Sequence, residues 1–318
     1  PYAPRYDGRG PAWSNSLFED NAEFGMGMRL TVDKLTQYAR EQLSQVKLDG
    51  KAALAKEILE ADLTTQEGIE AQRARIDDLK KYLEKQEDPQ AARLLSVADF
   101  LVSKSIWIFG GDGWGYDIGY GGLDHVLASG KNVNVLLLDT GVYSNTGGQA
   151  SKATPRAAVA KFAAAGKDMP KKVLGAIAMT YGNIYVAQVA YGENMTQLVK
   201  AIGEAESYDG PTLIIAYSHC IAHGIDMTTA TDLHADAVKS GFWPLFRYDP
   251  RLADQGKNPL QLDSKVPTED VETFMYKQNR FRALRQSDPD RAGMLLEAIR
   301  EDVITRWKFY EQMANLDI

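Results

Sequence analysis

The sequence predicts an α/β fold built on a doubly wound, mostly parallel sheet, with a helical insertion and carboxyl-terminal helices. Two observations carry this. From Ser105 onward, short β-rich apolar runs alternate with helical segments, the pattern of strands joined by helical crossovers. Three of those runs end in glycine- or histidine-bearing stretches, at the carboxyl strand ends where an open parallel sheet collects its ligands. With 318 residues, 44% of them hydrophobic and 25% charged, the chain has ample material for such a core.

Residues 1–27 are rich in Gly, Pro, Asn and aromatics without a period and predict an extended arm. Residues 28–104 are charged and periodic. Leu30, Val32, Leu35, Tyr38, Leu43 and Val46 fit one helix face, and Ile69, Ile76, Leu79 and Leu83 another, with solvated charge between them. The α/β core spans 105–246. Its strands are expected at 106–109, 134–138, 175–180 and 211–217, and helices at 121–129 and 194–207. Residues 247–264 read as loop, followed by helices at 269–285 and 290–314 with Pro289 as a start signal. The four stretches together read as one domain over 1–318.

Composition excludes several classes. Lys and Arg total 36 against 43 Asp and Glu, a net charge of −7, so no basic footprint for nucleic acid is present. The longest apolar runs, such as 135–138, fall far short of a membrane span. Cys220 is the single cysteine, which rules out an internal disulfide and fits a reducing, cytoplasmic compartment. The start at Pro1 suggests numbering that begins inside a longer polypeptide, or a processed subunit.

The chemistry should sit at the strand ends. GGDGWGYDIGYGG follows the first strand, DTGVYSNTGGQ the second and HCIAHG the last, and in one sheet these face a common crevice. Gly111 and Gly113 allow close backbone approach to a ligand, and N–H groups at the following helix start favour an anion. Asp112 between them repels a bare phosphate. A divalent cation between carboxylate and phosphate resolves the conflict, since magnesium bridges carboxylates to phosphates in octahedral oxygen geometry. The spacing fails the dinucleotide pattern, because the last glycine position falls on Tyr116 or Ile118. Taken alone, the GDG could equally be an ordinary glycine-rich turn. Asn145 lies 33 positions beyond Asp112, about one strand-helix-strand unit. Thr140 offers a hydroxyl, Val142 a carbonyl and Asn145 an amide, all oxygen types that suit a hard cation. A carboxylate followed at this distance by an asparagine-containing loop is the thiamine diphosphate signature. His219, Cys220 and His223 are spaced too tightly for an ordinary zinc site. Cys220 by itself reads equally as a small buried hydrophobe. Trp107, Trp114, Tyr116 and Tyr120 could line a pocket or the core, with Trp114 the one assigned to the pocket.

The run from Gly111 to Pro155, with GPAWSNSLFEDNAE near the start and FWPLFRYDPRLADQGKNPLQLDSK near the end, closely resembles the thiamine-binding part of the pyruvate:ferredoxin (flavodoxin) oxidoreductases. The resemblance covers nearly the whole chain outside the variable helical region. It implies that Asp112, Thr140 and the Val142 carbonyl hold Mg2+. It implies that Gly111, Asp112, Gly113 and Trp114, with Thr140, Gly141, Val142, Tyr143, Ser144 and Asn145, cradle the diphosphate, and that Asn145 also reaches the substrate. Cys220 would be the last ligand of a 4Fe-4S cluster whose other cysteines lie outside this chain. In one departure, Gly141 stands where the family usually has glutamate. The implied reaction is oxidative decarboxylation of pyruvate with coenzyme A to acetyl-CoA and CO2, with electrons passing to ferredoxin or flavodoxin. The implied partners are the other domains of the same enzyme, in a homo-oligomer. The alternatives are a thiamine enzyme for another 2-oxoacid and a non-catalytic module that retains the fold.

Overall fold

The computed structural model describes residues 2–4, 10, 12, 13 and 19–317, so part of the expected arm lies outside the described residues, and its end, 21–27, is helical rather than extended. Within the arm, β1 (Tyr2–Ala3) and β2 (Ala12–Trp13) pair antiparallel. By internal contacts the chain divides into two compact units, residues 25–106 and residues 1–24 with 107–318.

The first unit is helical, as its periodicity predicts. It contains nearly all of α1 (Asn21–Gln45), then α2 (Ala52–Leu59), α3 (Gln66–Leu83) and α4 (Pro89–Val97). Leu43 and Val46 of the expected α1 face join Ile58, Ile76, Leu79, Leu83 and Leu94 in one core, whereas Leu30 and Tyr38 stay exposed. Thr65 caps α3 by accepting from the Gly68 N–H, and Asp88 caps α4 ahead of Pro89; each such cap contributes about 1 kcal/mol. Buried Gln72 donates to the carbonyls of Ile58 and Leu101, at 3.0 and 3.1 Å, and ties three segments together.

The second unit holds a six-stranded sheet. Four strands are parallel: β3 (Trp107–Gly110), β4 (Asn134–Asp139), β5 (Tyr185–Ala190) and β6 (Thr212–Tyr217). Two antiparallel strands, β7 (Phe246–Tyr248) and β8 (Leu260–Leu262), extend one edge, giving the order β3-β4-β6-β5-β7-β8. Between the strands lie α5 (Asp112–Tyr116), α6 (Tyr120–Ala128), α7 (Leu174–Met179), α8 (Met195–Glu206) and α9 (Ala230–Lys239). After β8 come α10 (Val271–Met275), α11 (Asn279–Ser287) and α12 (Pro289–Ala314). Ala201 and Ala205 of α8 pack on Tyr185, Ala187, Val189 and Ile214. The other sheet face meets α5 and α7: a methyl added at Gly115 would lie 2.6 Å from Leu137, and one at Gly175 3.5 Å from Ile215. Helices therefore cover both faces, and the doubly wound α/β prediction stands.

Three further expectations are corrected. The run at 175–180, read as a strand, lies mostly in α7. LGAIAM is apolar and short, and periodicity cannot distinguish a buried strand from a buried helical turn at that length. Its Ala, Leu and Met content favours the helix. The true strand is β5, YVAQVA, buried along its whole length, just after the turn at Gly182. Residues 247–264 are not all loop, because they supply most of β7 and all of β8. The helix expected over 269–285 is two, α10 and α11, broken at residues 276–278. The Pro289 start holds: Asp288 accepts from the Arg291 N–H, and proline takes the first turn, where its missing N–H costs nothing.

Candidate functional site

β3, β4 and β6 end side by side, since Gly110 pairs with Leu137 and Asp139 with Tyr217. The loops after these strands therefore leave the same sheet edge, which is the convergence the motifs predicted. Asp112 opens α5 and is 2% exposed. Its Oδ2 accepts from the Thr140 N–H at 3.0 Å and from the Thr140 hydroxyl, and its Oδ1 accepts from the Gly141 N–H at 3.1 Å. Thr140 Oγ1 also lies 3.0 Å from the Val142 carbonyl oxygen. Carboxylate, hydroxyl and carbonyl thus converge within hydrogen-bonding distance. The single hydroxyl proton faces two acceptors, so one oxygen–oxygen approach is left without a proton when the carboxyl is ionised.

Burial, followed by the nearby Asp139 charge, raises the Asp112 carboxyl to about 7, with Lys171 opposing. Asp139 at the end of β4 is 2% exposed, accepts from the Tyr116 hydroxyl and is bound by Lys171 Nζ at 2.6 Å. The ammonium of Lys171 lies 4.6 Å from the Tyr116 ring centroid and 5.8 Å from that of Trp243. Arg280 is buried; its Nη1 lies 3.5 Å from the Thr140 carbonyl and its Nε donates to Gln278 at 2.8 Å.

Two glycines suit the backbone where they stand. Gly113 is overlain by the Tyr143 ring, and a side chain there would collide with it. Gly141 has φ +71, with Arg280 Nη1 3.1 Å from where a Cβ would lie. Glycine meets no Cβ penalty in that left-handed backbone, which gives the departure at this position a local rationale.

Trp114 is buried, and its indole N–H has no partner among the described residues. Tyr143 pairs with Gln149 across a tight turn, in which Ser144 and Asn145 face solvent. Ser144 Oγ lies 3.1 Å from Cys220 Sγ, so the second and third motifs touch. Cys220 is 6% exposed and begins a short 3-10 turn, Ile221–His223. His223 is buried, with its Nε2 on the Thr140 carbonyl, whereas His219 pairs with His234 at 3.0 Å. The two histidines of HCIAHG therefore serve different partners.

Sequence reasoning missed Lys171, Arg280 and the role of His223. Asp139 was visible as the first letter of DTG. Arg280 carried no local signal, lying 140 positions from its partner.

Residues 91–216 match the family described as thiamine pyrophosphate enzyme, C-terminal TPP binding domain. The putative pyruvate-flavodoxin oxidoreductase of Synechocystis sp. is 58% identical over 99% of this chain and 26% of its own length. The chain is homologous from end to end to one part of the pyruvate-flavodoxin oxidoreductases. The Nostoc pyruvate-flavodoxin oxidoreductase is 55% identical over 99% of the chain and 27% of its own length. The pyruvate:ferredoxin oxidoreductase of Moorella thermoacetica is 48% identical over 99% of the chain and 28% of its own length. The chain thus spans about a quarter of the length of these oxidoreductase relatives. No described helix is long and apolar enough to cross a membrane.

Proposed function

We propose that this chain holds the magnesium–diphosphate end of thiamine diphosphate in a pyruvate:ferredoxin/flavodoxin oxidoreductase. The observation that carries the reading is the convergence of Asp112, the Thr140 hydroxyl and the Val142 carbonyl on one point. A carboxylate, a hydroxyl and a carbonyl form a hard-oxygen set that suits Mg2+ and leaves room for phosphate oxygens in the remaining positions. The orphaned Trp114 N–H, next to Gly113, adds a buried donor with no partner among the described residues. These residues fit the cofactor.

When bound, thiamine diphosphate supplies the electron sink for decarboxylating a 2-oxoacid. The rest falls to the chain. Asp112 and Thr140 would anchor the cation, and Gly113 would let the backbone approach the diphosphate beneath the Tyr143 ring. Asn145, exposed on its turn, would meet substrate. Cys220, touching the cofactor loop through Ser144, provides one thiolate for a 4Fe-4S cluster completed by cysteines from outside this chain. The reaction proposed is oxidation of pyruvate with coenzyme A to acetyl-CoA and CO2, with electrons leaving through clusters to ferredoxin or flavodoxin in a reducing, cytoplasmic compartment. Relatives about four times as long support the presence of the further domains that this chemistry needs.

Calorimetry tests the binding step. The chain should take up Mg2+ with thiamine diphosphate, and Asp112→Ala should abolish uptake while the circular dichroism spectrum stays that of the wild type. Undiminished affinity in the variant would remove the metal assignment, and failure to bind thiamine diphosphate with the remaining domains restored would favour the non-catalytic module.

A further inference from the structure

The Thr140–Gly141 peptide is held from both sides. Its carbonyl oxygen accepts from His223 Nε2 and faces Arg280 Nη1 at 3.5 Å, while its N–H donates to Asp112 Oδ1 at 3.1 Å. In a trans peptide the C=O and N–H point in opposite directions, so fixing one end aims the other. Both donors are buried: His223 is 0% exposed and Arg280 5%. Because a carbonyl can only accept, His223 must carry its proton on Nε2, and the buried Nδ1 is left without a partner among the described residues. Burial also disfavours its charged form, the largest influence on this ring.

The turn that carries His223 is itself secured. The Gly224 carbonyl accepts from the Asn279 N–H at 3.2 Å, at the start of the helix that carries Arg280. The two donors on the Thr140 carbonyl therefore come from segments tied to each other. The arrangement has a cost, a buried ring nitrogen without a partner among the described residues. A hydrogen bond chained through a peptide also polarises it, strengthening the N–H as a donor to the carboxylate.

We propose that His223 is a positioning residue for the Asp112 site: it orients the Thr140–Gly141 peptide, whose N–H sets the rotation of the Asp112 carboxylate and so its presentation to the cation. Resting on the magnesium reading above, this adds a residue that touches neither metal nor cofactor. The Gly141 N–H is the direct partner of the ligand, a position typically worth about 10–100-fold in metal affinity, which sets the upper range for a residue acting through it.

The test compares the wild-type chain with His223→Leu, which removes the donor, and His223→Gln, which returns an N–H at similar reach. Amide hydrogen exchange is read without metal, and Mn2+ affinity, with thiamine diphosphate present, by electron paramagnetic resonance. His223→Leu should lose protection at Gly141 while Ile214 and Ile215 in β6 keep theirs, and should bind Mn2+ about 10–100-fold more weakly. His223→Gln should restore most of both. Wild-type Gly141 protection in His223→Leu overturns the proposal, as does a loss of protection throughout β6 that His223→Gln does not rescue. If the wild-type chain binds no Mn2+ with thiamine diphosphate present, the metal reading falls, and the exchange comparison still decides whether His223 orients the peptide.

Discussion

Lys171 Nζ sits within 2.8 Å of both carboxylate oxygens of Asp139, and neither side chain is more than 13% exposed. Lys171 also donates to the Ala153 carbonyl at 2.9 Å, tying the loop after β4 to the strand that it leaves. Pairing this deep compensates for desolvation only while both partners remain. Lys171→Met should therefore destabilise the chain by about 3–5 kcal/mol. Urea denaturation measures it; a loss below about 1 kcal/mol would place the pair among exposed bridges of little consequence.

Without metal, the Asp112 carboxyl keeps its proton up to about 7 in the folded chain, whereas the ordinary value is 3.8. Between those values the native state holds more protons than the unfolded one, so this group makes stability fall as pH rises. Asp112→Asn should remove that slope. His223 acts in the opposite direction. Burial holds it neutral down to about 2, against an ordinary 6.5, so the unfolded chain takes up the proton first and stability falls as pH drops below 6.5. Thermal melts of the wild type and Asp112→Asn from pH 4 to 7 isolate the first effect by difference. Parallel profiles would show that Asp112 ionises normally.

Asn145 lies on an exposed turn rather than in the buried oxygen cluster. If it meets substrate, Asn145→Ala in the enzyme assembled with its remaining domains should lower kcat by about 10²–10³ and leave cofactor affinity nearly unchanged. Steady-state kinetics beside a cofactor titration separates the two. Normal turnover would leave Asn145 a turn residue only.

Cys220 is the one thiol available, and a 4Fe-4S cluster takes four thiolates. The 318-residue chain should therefore hold no stable cluster after anaerobic reconstitution. In the assembled enzyme, Cys220→Ala should lose one cluster, counted as iron and by electron paramagnetic resonance, with cofactor binding retained. A full iron content in that variant, with undiminished ferredoxin reduction, would return Cys220 to the role of a small buried hydrophobe.

What the sequence alone determined is local in origin. Alternating runs set the parallel sheet, and charged periodicity set the helical unit. The conflict between Asp112 and a phosphate pointed to a cation, and an asparagine loop one crossover later pointed to thiamine diphosphate. These signals lie within a few tens of residues, where pattern and spacing encode geometry. The strand misplaced onto LGAIAM marks the limit, because a six-residue apolar helix and a buried strand differ only in what packs around them. The tertiary structure decided how the site is held. Lys171 meets Asp139 across a loop without helices or strands, and Arg280 and His223 reach one carbonyl from 140 and 83 positions away. No sequence spacing specifies such contacts, because they arise when separate elements close on a buried peptide whose polar groups must find partners away from water.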